Sequence, residues 1–401
     1  MADLETFRRE TRTWLEQNAP DSVRRGQPSV LDAPWGGRKA VWDDPDKKLW
    51  LDRMAARGWT APTWPAEYGG GGLSKDEAKV LEQEMSALRV APPLVGFGLE
   101  MIGPTILRFG SEEQKREHIP RIVHGEIRWC QGYSEPGAGS DLASLQTRAV
   151  RDGDDFIVNG QKVWTSYGDL SDWIFALVRT NPEARKQEGI TFLLIDMDVP
   201  GVSVKPIRLI NGKSPFCETF FEDVRVPVRN VLHEVDAGWT VAKALLGHER
   251  SMIGSIFSGA SGGSGRGRGR VVELAASRLG EDEHGRIADA SVRDRVAQVE
   301  MDRHAFGVTA QRTRDAARAG QPPGPETSLF KIYATELNQR RYELLTDILG
   351  PDALGWEGPG FDDDELEITR EWLRSRGNTI EGGTSEIQLN IIAKRVLGLP
   401  D

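Results

Sequence analysis

A carboxylate and two adjacent glycines stand directly before a predicted helix near the C-terminal end of the chain. The segment TIEGGTSEIQ places Glu381 immediately before Gly382 and Gly383. Glycine has no Cβ, so its backbone can approach a bound molecule closely. Ser385 and Gln388 have the spacing of a capping box, which predicts a helix start whose free N–H groups face inward. The segment therefore predicts an acid next to backbone that can contact a ligand.

A second segment whose residues could bind a ligand is YSEPGAGSD, residues 133–141. It lies where helical patterning changes to strand patterning. It combines serine and proline with several small residues. Such a turn exposes backbone N–H groups and hydroxyls, which suit a polar heterocycle or a phosphate that approaches closely. Taken alone, the same composition is also typical of a turn between two domains.

A Gly-x-Ser-x-Gly pattern occurs around Ser261, in the stretch GASGG. This pattern exposes the nucleophile of serine hydrolases when a strand precedes the serine and a helix follows it. Here the preceding stretch, LLGHERSMIGSIF, has helical periodicity. We interpret the match as chance and keep a serine hydrolase using Ser261 as an alternative.

The segment SGASGGSGRGRGR, residues 258–270, is rich in glycine and arginine. Glycine at this density weakens any helix that it interrupts, so the segment predicts an irregular surface loop. Alternatively, Arg266, Arg268 or Arg270 contacts a phosphate group.

Three regions of different hydrophobic periodicity must position these segments. Residues 1–128 carry apolar side chains at three- and four-residue spacing, which predicts an N-terminal helical domain. Residues 129–236 alternate apolar and polar side chains, which predicts a middle antiparallel β domain. Residues 237–401 return to helical spacing and predict a C-terminal helical bundle. The predicted fold is mostly α with a central β domain.

Local signals support this division. Ser74 with Glu77 and Ser111 with Gln114 form capping boxes at two predicted helix starts. The stretch TRAVRDGDDFIVNGQKVWTSYG alternates around an Asp-Gly and an Asn-Gly pair, which predicts hairpin turns at both pairs. Further strands are predicted for WIFALVRT, ITFLLIDMD, VSVKPIRLI and CETFFEDVRVPV.

The amino-acid composition limits the kinds of molecule that the protein is expected to bind. The 401 residues contain 51 Lys and Arg against 61 Asp and Glu, and the net charge of −10 argues against nucleic acid or an anionic membrane. Only Cys130 and Cys217 occur and the histidines lack ligand spacing, so neither a disulfide framework nor a metal site is expected. The charged start MADLETFRRE and the short apolar runs predict no secretory signal and no membrane span. We expect a cytoplasmic protein.

The stretch WCQGYSEPGAGSDLASLQTRAVRDGDDFIVNGQKVWTSYG resembles the signature of the acyl-CoA dehydrogenase family. The resemblance continues through GPTILRFGSEEQKREHIPRIVHGE, FEDVRVPVRNVLHE and EGGTSEIQLNIIAKRVLG. It implies an N-terminal helical domain, a middle β domain and a C-terminal four-helix bundle, in agreement with the periodicity. It also implies an FAD enzyme that converts an acyl-CoA thioester to a trans-2-enoyl-CoA in fatty acid or lipid catabolism by β-oxidation.

The resemblance implies roles for individual residues. The Ser134 hydroxyl would lie near the N5 and O4 edge of the flavin, Trp164 would pack against the isoalloxazine, and the Ser166 hydroxyl would bond to it. The alternative for Trp164 is an ordinary aromatic residue of the β core. The implied cofactor contacts are Gln131, Tyr133, Ser134, Gly139, Ser140, Trp164, Ser166, Thr384 and Glu386, and the implied substrate contacts are Ser140, Arg250, Gly382 and Gly383.

The implied reaction requires one carboxylate base. A thioester carbonyl acidifies its α-carbon, so the base removes the α-proton while a hydride leaves the β-carbon for flavin N5. In many relatives the base directly precedes Gly-Thr, where this chain has Gly382, and Glu381 lies one residue earlier. The long-chain and isovaleryl relatives carry the base on a helix that matches LLGHERSM. Glu249 is therefore the expected base and Glu381 the reserve, with Arg250 shaping the acyl pocket; a non-catalytic subunit is a third possibility.

Two departures from the family pattern concern the FAD diphosphate. Arg-x-x-Phe-Gly occurs at Arg303–Gly307, one helix later than in the family, and the family's Gly-Gly-x-Gly phrase is altered to LGPDALGW. The diphosphate contact therefore stays open between Arg303 and the arginines of residues 258–270.

The resemblance also implies partners. Electron-transfer flavoprotein is the expected electron acceptor, and the expected assembly is a homo-oligomer (a dimer or homotetramer) or a heterotetramer with a paralogous chain. The heteromeric alternative goes with a bulky, branched or steroid-like acyl-CoA, because a base at Glu249 instead of Glu381 lies elsewhere along the acyl channel.

Overall fold

The computed structural model describes residues 2–24, 33–245, 269–318, 321 and 324–400. The described residues form two compact units. The first contains the described residues up to Ile207 and those from Pro215 to 245, and the second contains Arg208–Ser214 and the described residues from 269 onward. None of the described helices is long and apolar enough to cross a bilayer.

Helices form the N-terminal part of the first unit. They are α1 Ala2–Asn18, α2 Pro45–Ala56, α3 Lys75–Ala87, α4 Gly103–Phe109 and α5 Glu112–Val123. Both predicted capping boxes are confirmed, with Ser74 at the start of α3 and Ser111 at the start of α5. The apolar faces of α1, α2 and α3 meet around Leu15, Trp50 and Leu81, which gives this part its own core.

A seven-stranded sheet follows these helices in the first unit. Its strands are β1 Trp129–Gly132, β2 Arg148–Asp152, β3 Asp155–Ser166, β4 Trp173–Arg179, β5 Ile190–Asp196, β6 Val202–Ile207 and β7 Phe216–Pro227. The order is β1-β4-β2-β3-β7-β6, with β5 paired to β4. The longest pairing is the antiparallel one between β3 and β7. Val158, Ile174, Leu193 and Val224 lie in the core of this sheet.

The two predicted hairpin turns have different outcomes. Asp152 pairs with Asp155, and Gly153 has a φ of 62°, so the Asp-Gly turn between β2 and β3 is confirmed. The Asn-Gly turn is wrong, because the pair lies inside β3. A Cβ on Gly160 would lie 2.7 Å from the Cα of Thr147. This glycine therefore permits a close approach of β3 to the residue just before β2 and does not reverse the chain.

A β-bulge in β3 changes the alternation of its buried side chains. Lys162 pairs with Thr219 on β7, and Thr165 pairs with Cys217. Three steps along β3 thus correspond to two along β7, so one residue of β3 has no partner in the register. Lys162 and Thr165 are both completely buried. Trp164, between them, faces outward with a φ of 62°.

The second unit is helical. Its helices are α6 Arg270–Leu279, α7 Ala290–Arg318, α8 Ser328–Leu349, α9 Asp363–Ser375 and α10 Ser385–Ile391. Helix α8 packs against the other four, around a core that includes Leu344, Leu345 and Ile348. The predicted class, mostly α with a central β domain, is confirmed. The predicted domain boundaries at 128/129 and 236/237 stay predictions.

Candidate active site

Ser134 lies on a segment that is attached to β3 immediately before Trp164. The Ser134 carbonyl accepts a hydrogen bond from the Val163 N–H at 2.9 Å. The chain then turns back sharply, since Glu135 and Ala138 exchange both of their backbone hydrogen bonds. Two parts of the predicted flavin contact, Ser134 and Trp164, are therefore brought close together.

A buried ion pair holds this segment. The Nζ of Lys162 lies 2.7 Å from Oε1 of Glu135 and donates to the Tyr133 carbonyl at 3.2 Å. The Glu135 carboxylate also accepts hydrogen bonds from the backbone N–H groups of Gln146 at 2.6 Å and Thr147 at 2.9 Å. Burial lowers the pKa of Lys162 to about 8 against the opposing effect of Glu135. Burial acts to raise the pKa of Glu135, but the Lys162 charge and the hydrogen bonds from Lys162, Thr147 and Gln146 together outweigh it, so the pKa is lowered. Both groups are therefore charged at neutral pH.

Trp164 and Ser166 follow on the outer face of β3. The Trp164 side chain is 55% exposed and contacts the Phe216 ring edge-on, with the ring centroids 6.1 Å apart. This exposure does not agree with the alternative of an ordinary β-core aromatic residue. Ser166 is half-buried, two residues further along the same face. The two side chains thus present an aromatic face and a hydroxyl side by side.

The other predicted contacts of this segment differ in exposure. The Tyr133 side chain is only 5% exposed and packs edge-on against two phenylalanine rings of β4 and β5. Its ring belongs to the β core, so a contact with a ligand would come from its backbone. Gln131 on β1 is half-buried, whereas Gly139 and Ser140 are exposed after the turn.

In the second unit, hydrogen bonds engage both carboxylate oxygens of Glu381. Nη2 of Arg374 lies 2.5 Å from one oxygen and Nδ2 of Asn378 lies 2.6 Å from the other. Gly382 and Gly383 have φ values of 63° and 92°, a region that glycine adopts readily and other residues rarely. The two glycines are therefore required by the backbone turn that follows Glu381.

The predicted capping box of α10 is wrong by one residue. Thr384, not Ser385, is the N-cap, and its hydroxyl accepts a hydrogen bond from the Ile387 N–H at 3.3 Å. The Ser385 hydroxyl is buried without a hydrogen-bond partner among the described residues. Glu386 lies in the first turn, where its own backbone N–H and the Thr384 hydroxyl lower the pKa of its carboxyl. Thr384 follows the glycine turn in extended conformation, which places its hydroxyl over the helix start.

Two arginines expected near the FAD diphosphate lie on α6 and α7, far in sequence from Thr384 and Glu386. The Arg303 guanidinium on α7 pairs with Glu300 at 2.8 and 2.9 Å. Arg270 begins α6 and donates to the Asp364 carbonyl at 3.3 Å. Five other predicted residues lie outside the described residues: Glu249, Arg250, Ser261, Arg266 and Arg268.

Lys162 and Glu135 had no predicted role. The sequence did contain a signal for Lys162. It lies at an even number of residues from Phe156 and Val158, so it falls on the same buried face of β3. A charged side chain on the buried face of a strand requires a partner of opposite charge. Glu135 is 27 positions away, and no sequence spacing identifies a partner at that distance.

The three regions of the chain match models of three known domains. The N-terminal, middle and C-terminal domains of acyl-CoA dehydrogenase match residues 31–126, 130–224 and 236–397. The chain therefore belongs to the acyl-CoA dehydrogenase family, a class of FAD-dependent flavoproteins. The predicted family, enzyme class and cofactor are confirmed.

Individual relatives cover the whole chain. Acyl-CoA dehydrogenase IpdE1 of Mycobacterium tuberculosis is 37% identical over 402 residues, which cover 100% of this chain and 99% of the relative. The solved structure of the Tcur3481-Tcur3483 steroid ACAD is similar, with a TM-score of 0.74, 31% identity and coverage of 100% and 98%. The ChsE4-ChsE5 complex from Mycobacterium tuberculosis has a TM-score of 0.71, 31% identity and the same coverage.

The residues of the first unit fit a flavin. Trp164 holds a left-handed backbone conformation, which costs a residue other than glycine about 1–3 kcal/mol, and its ring is largely exposed. A planar ligand that covers the ring would offset this cost. Ser134 and Ser166 offer hydroxyls nearby, and a Cβ on Gly139 would meet nothing within 4 Å, so a ligand has room to approach this turn.

Proposed function

We propose that this acyl-CoA dehydrogenase uses Glu249 as its base, acts on a bulky, ring-bearing acyl-CoA, and assembles with a paralogous chain. Bound FAD supplies the hydride acceptor for the β-hydrogen. Gln131, Ser134, Ser140, Trp164 and Ser166 hold the flavin in this proposal, together with the backbone of Tyr133 and Gly139, while Thr384 and Glu386 hold its adenosine and diphosphate end.

The engagement of Glu381 is the observation that carries the choice of base. Removing an α-proton requires a carboxylate oxygen that can turn toward the carbon. Glu381 would have to break its hydrogen bond to Arg374 or Asn378 to do so, at about 1.5–3 kcal/mol for each bond to a charged group. This supports Glu249 as the base and gives Glu381 a structural role beside the glycine turn.

The substrate class is supported by the relatives. A structure described as a steroid ACAD matches the full length of this chain at 31% identity. A bulky ring system needs a wide acyl channel, and a base in the segment LLGHERSM leaves the segment of Gly382 and Gly383 free to line it. We therefore place the substrate among ring-bearing acyl-CoA thioesters, with Arg250 lining the channel.

The assembly is supported by the same comparisons. Both similar structures at 31% identity are described by two chain names, which indicates that those proteins contain two different chains. We propose a heteromeric tetramer, with the homotetramer as the competing arrangement. Electron-transfer flavoprotein as acceptor, a role in β-oxidation and a cytoplasmic location remain predictions.

Anaerobic reduction of the flavin tests the base. Purified, FAD-loaded protein is mixed with a panel of straight-chain, branched and steroid-derived acyl-CoA thioesters, and bleaching of the flavin is recorded. Glu249→Gln should keep its FAD and lose bleaching, while the matched variant Glu381→Gln should still bleach with the same thioesters. The opposite result would transfer the base to Glu381, and full bleaching by both variants would remove both from the mechanism.

Co-purification tests the assembly. The chain is expressed alone and together with each paralogous chain of its genome, and the mass and FAD content of the product are measured. We expect FAD to be retained only in a complex that contains both chains. A flavin-loaded homotetramer that bleaches with acyl-CoA would contradict the heteromeric proposal without affecting the choice of base.

A further inference from the structure

The ion pair of Lys162 and Glu135 connects the two segments that carry the predicted flavin contacts Ser134 and Trp164. The Lys162 Nζ bonds to the Tyr133 carbonyl at 3.2 Å and to the Glu135 carboxylate at 2.7 Å. These two partners stand immediately before and after Ser134. The Ser134 carbonyl itself accepts a hydrogen bond from the N–H of Val163, the next residue along β3. Three consecutive residues of one segment are thus fixed to two consecutive residues of another.

Lys162 also stands at the bulge that turns Trp164 outward. The register between β3 and β7 changes between Lys162 and Thr165. A slip of one residue would exchange the two faces of the strand and move Trp164 toward the core. Lys162 is completely buried and bonded to two partners, so it opposes such a slip. One side chain therefore fixes both the Ser134 side and the Trp164 side of the predicted contact.

Stability alone does not account for a lysine at this position. Removing an ammonium group from water is unfavourable, and a buried ion pair is often no more stable than well-packed apolar side chains of similar volume. The Glu135 carboxylate is already engaged by two backbone N–H groups. An apolar residue at position 162 could fill the space, but it could not donate a hydrogen bond to the Tyr133 carbonyl. That bond directs the backbone that enters Ser134.

We infer that Lys162 is a positioning residue for the dehydrogenation: it holds Ser134 and Trp164 at the spacing that the flavin requires, with Glu135 as its fixed counter-charge. The inference rests on the proposed flavin contacts of Ser134 and Trp164. Lys162 itself touches neither cofactor nor substrate. Its loss therefore changes the environment and the reduction rate of the flavin, whereas the binding of acyl-CoA is unaffected.

Lys162→Met in the full-length, FAD-loaded protein tests this role, since methionine has a similar length and no charge. Misplacement of a reacting group by about 1 Å slows an enzymatic step strongly, so we expect roughly 10- to 100-fold slower flavin reduction at saturating acyl-CoA. The KM for acyl-CoA should stay near the wild-type value. The visible absorption band of the bound flavin should shift, because the groups that face the ring have moved.

Arg38→Met is the matched control. The Arg38 guanidinium lies 3.2 Å from the completely buried carboxylate of Asp172 in the same unit, so this variant also removes the cation from a buried acid. It should lose thermal stability much as Lys162→Met does and keep the wild-type flavin spectrum and reduction rate. If it alters the flavin as Lys162→Met does, the effect is general destabilisation and the inference is overturned. A wild-type reduction rate in Lys162→Met overturns it as well.

Two further variants cover the remaining outcomes. Glu135→Gln keeps an acceptor oxygen for one backbone N–H and removes the counter-charge, so it remains testable if Lys162→Met does not fold. Its reduction rate should lie between those of wild type and Lys162→Met, and a wild-type rate would count against the inference. Ser134→Ala distinguishes the proposed flavin contact of Ser134 from the positioning role of Lys162. If it leaves the flavin unchanged, the proposed contact fails; if it alters the flavin while Lys162→Met does not, only the positioning role fails.

Discussion

The side chains of Lys162 and Thr165 are both completely buried on one face of β3, although they are three residues apart. In a regular strand, residues three apart face opposite sides of the sheet. The bulge between them absorbs one residue, and Trp164 is thereby turned outward in a left-handed conformation. The exposure of this tryptophan is therefore a consequence of the backbone at this point.

Trp164→Ala should separate ligand binding from stability. The ring is 55% exposed, so we expect its removal to change the free energy of unfolding of the FAD-free protein by less than about 0.5 kcal/mol. FAD affinity should fall roughly tenfold or more, since an aromatic contact and its buried area are lost. Val150→Ala, at a similarly exposed position on β2, is the control and should retain FAD. Strong destabilisation with unchanged FAD affinity would identify Trp164 as a packing residue.

Gly160→Ala should destabilise the sheet. The glycine has a φ of 150°, and an added Cβ would lie 2.7 Å from the Cα of Thr147, so strain and a backbone clash add to about 2–4 kcal/mol. Gly153→Ala has a φ of 62° and no neighbour within 4 Å of the added Cβ, so it should cost only about 1–2 kcal/mol. Urea unfolding followed by tryptophan fluorescence measures both. Equal losses would contradict the close approach of Thr147 to β3 as the reason for Gly160.

Much of the fold could be predicted from local signals. The Asp-Gly turn at Gly153 and the capping boxes at Ser74 and Ser111 depend only on nearby residues, and all are observed. The Asn-Gly pair gave a false turn because Gly160 is required by its close contact with Thr147, the residue just before β2. The sequence alone does not distinguish a glycine that a tertiary contact requires from a glycine that a turn requires.

The candidate site was predictable where a motif covers it and not where partners come from elsewhere. The motif identified Ser134, Trp164 and Ser166 as expected contacts. It gave no reason to connect Lys162 with Glu135, because their pairing depends on the sheet that brings two distant segments together. The cap of α10 was missed because serine is by type at least as good a cap as threonine. The glycine turn before them selects Thr384 instead of Ser385.

The cap of α10 gives a local test. Thr384→Ala removes the hydroxyl that accepts the Ile387 N–H and should weaken the helix start by about 1 kcal/mol. Ser385→Ala removes a buried hydroxyl that lacks a partner among the described residues, so it should be neutral or slightly stabilising. Native-state hydrogen exchange of the α10 amides should quicken in the first variant only. Faster exchange in Ser385→Ala would restore the original capping prediction.

His118 makes the first unit sensitive to acid. Its side chain is 1% exposed and contacts the rings of Trp129 and Trp173 edge-on, with centroids 5.3 and 4.8 Å away. Burial, followed by the nearby Arg121 charge, lowers its pKa from 6.5 to about 4. Between these two values the unfolded chain binds the proton and the folded chain does not, so the stability present above pH 6.5 is lost as the pH falls toward 4. A shift of this size corresponds to about 3 kcal/mol.

His118→Leu should remove this part of the acid sensitivity, because leucine fills a similar volume and does not titrate. The free energy of unfolding is measured at several pH values from 7 to 4 for both proteins, and the difference between them is plotted against pH. All carboxylates are common to the two proteins, so their contributions cancel in the difference. Wild type should lose about 3 kcal/mol relative to the variant as the pH falls from 6.5 to 4. A difference that stays constant over this range would mean that His118 accepts its proton as readily in the folded chain as in the unfolded one.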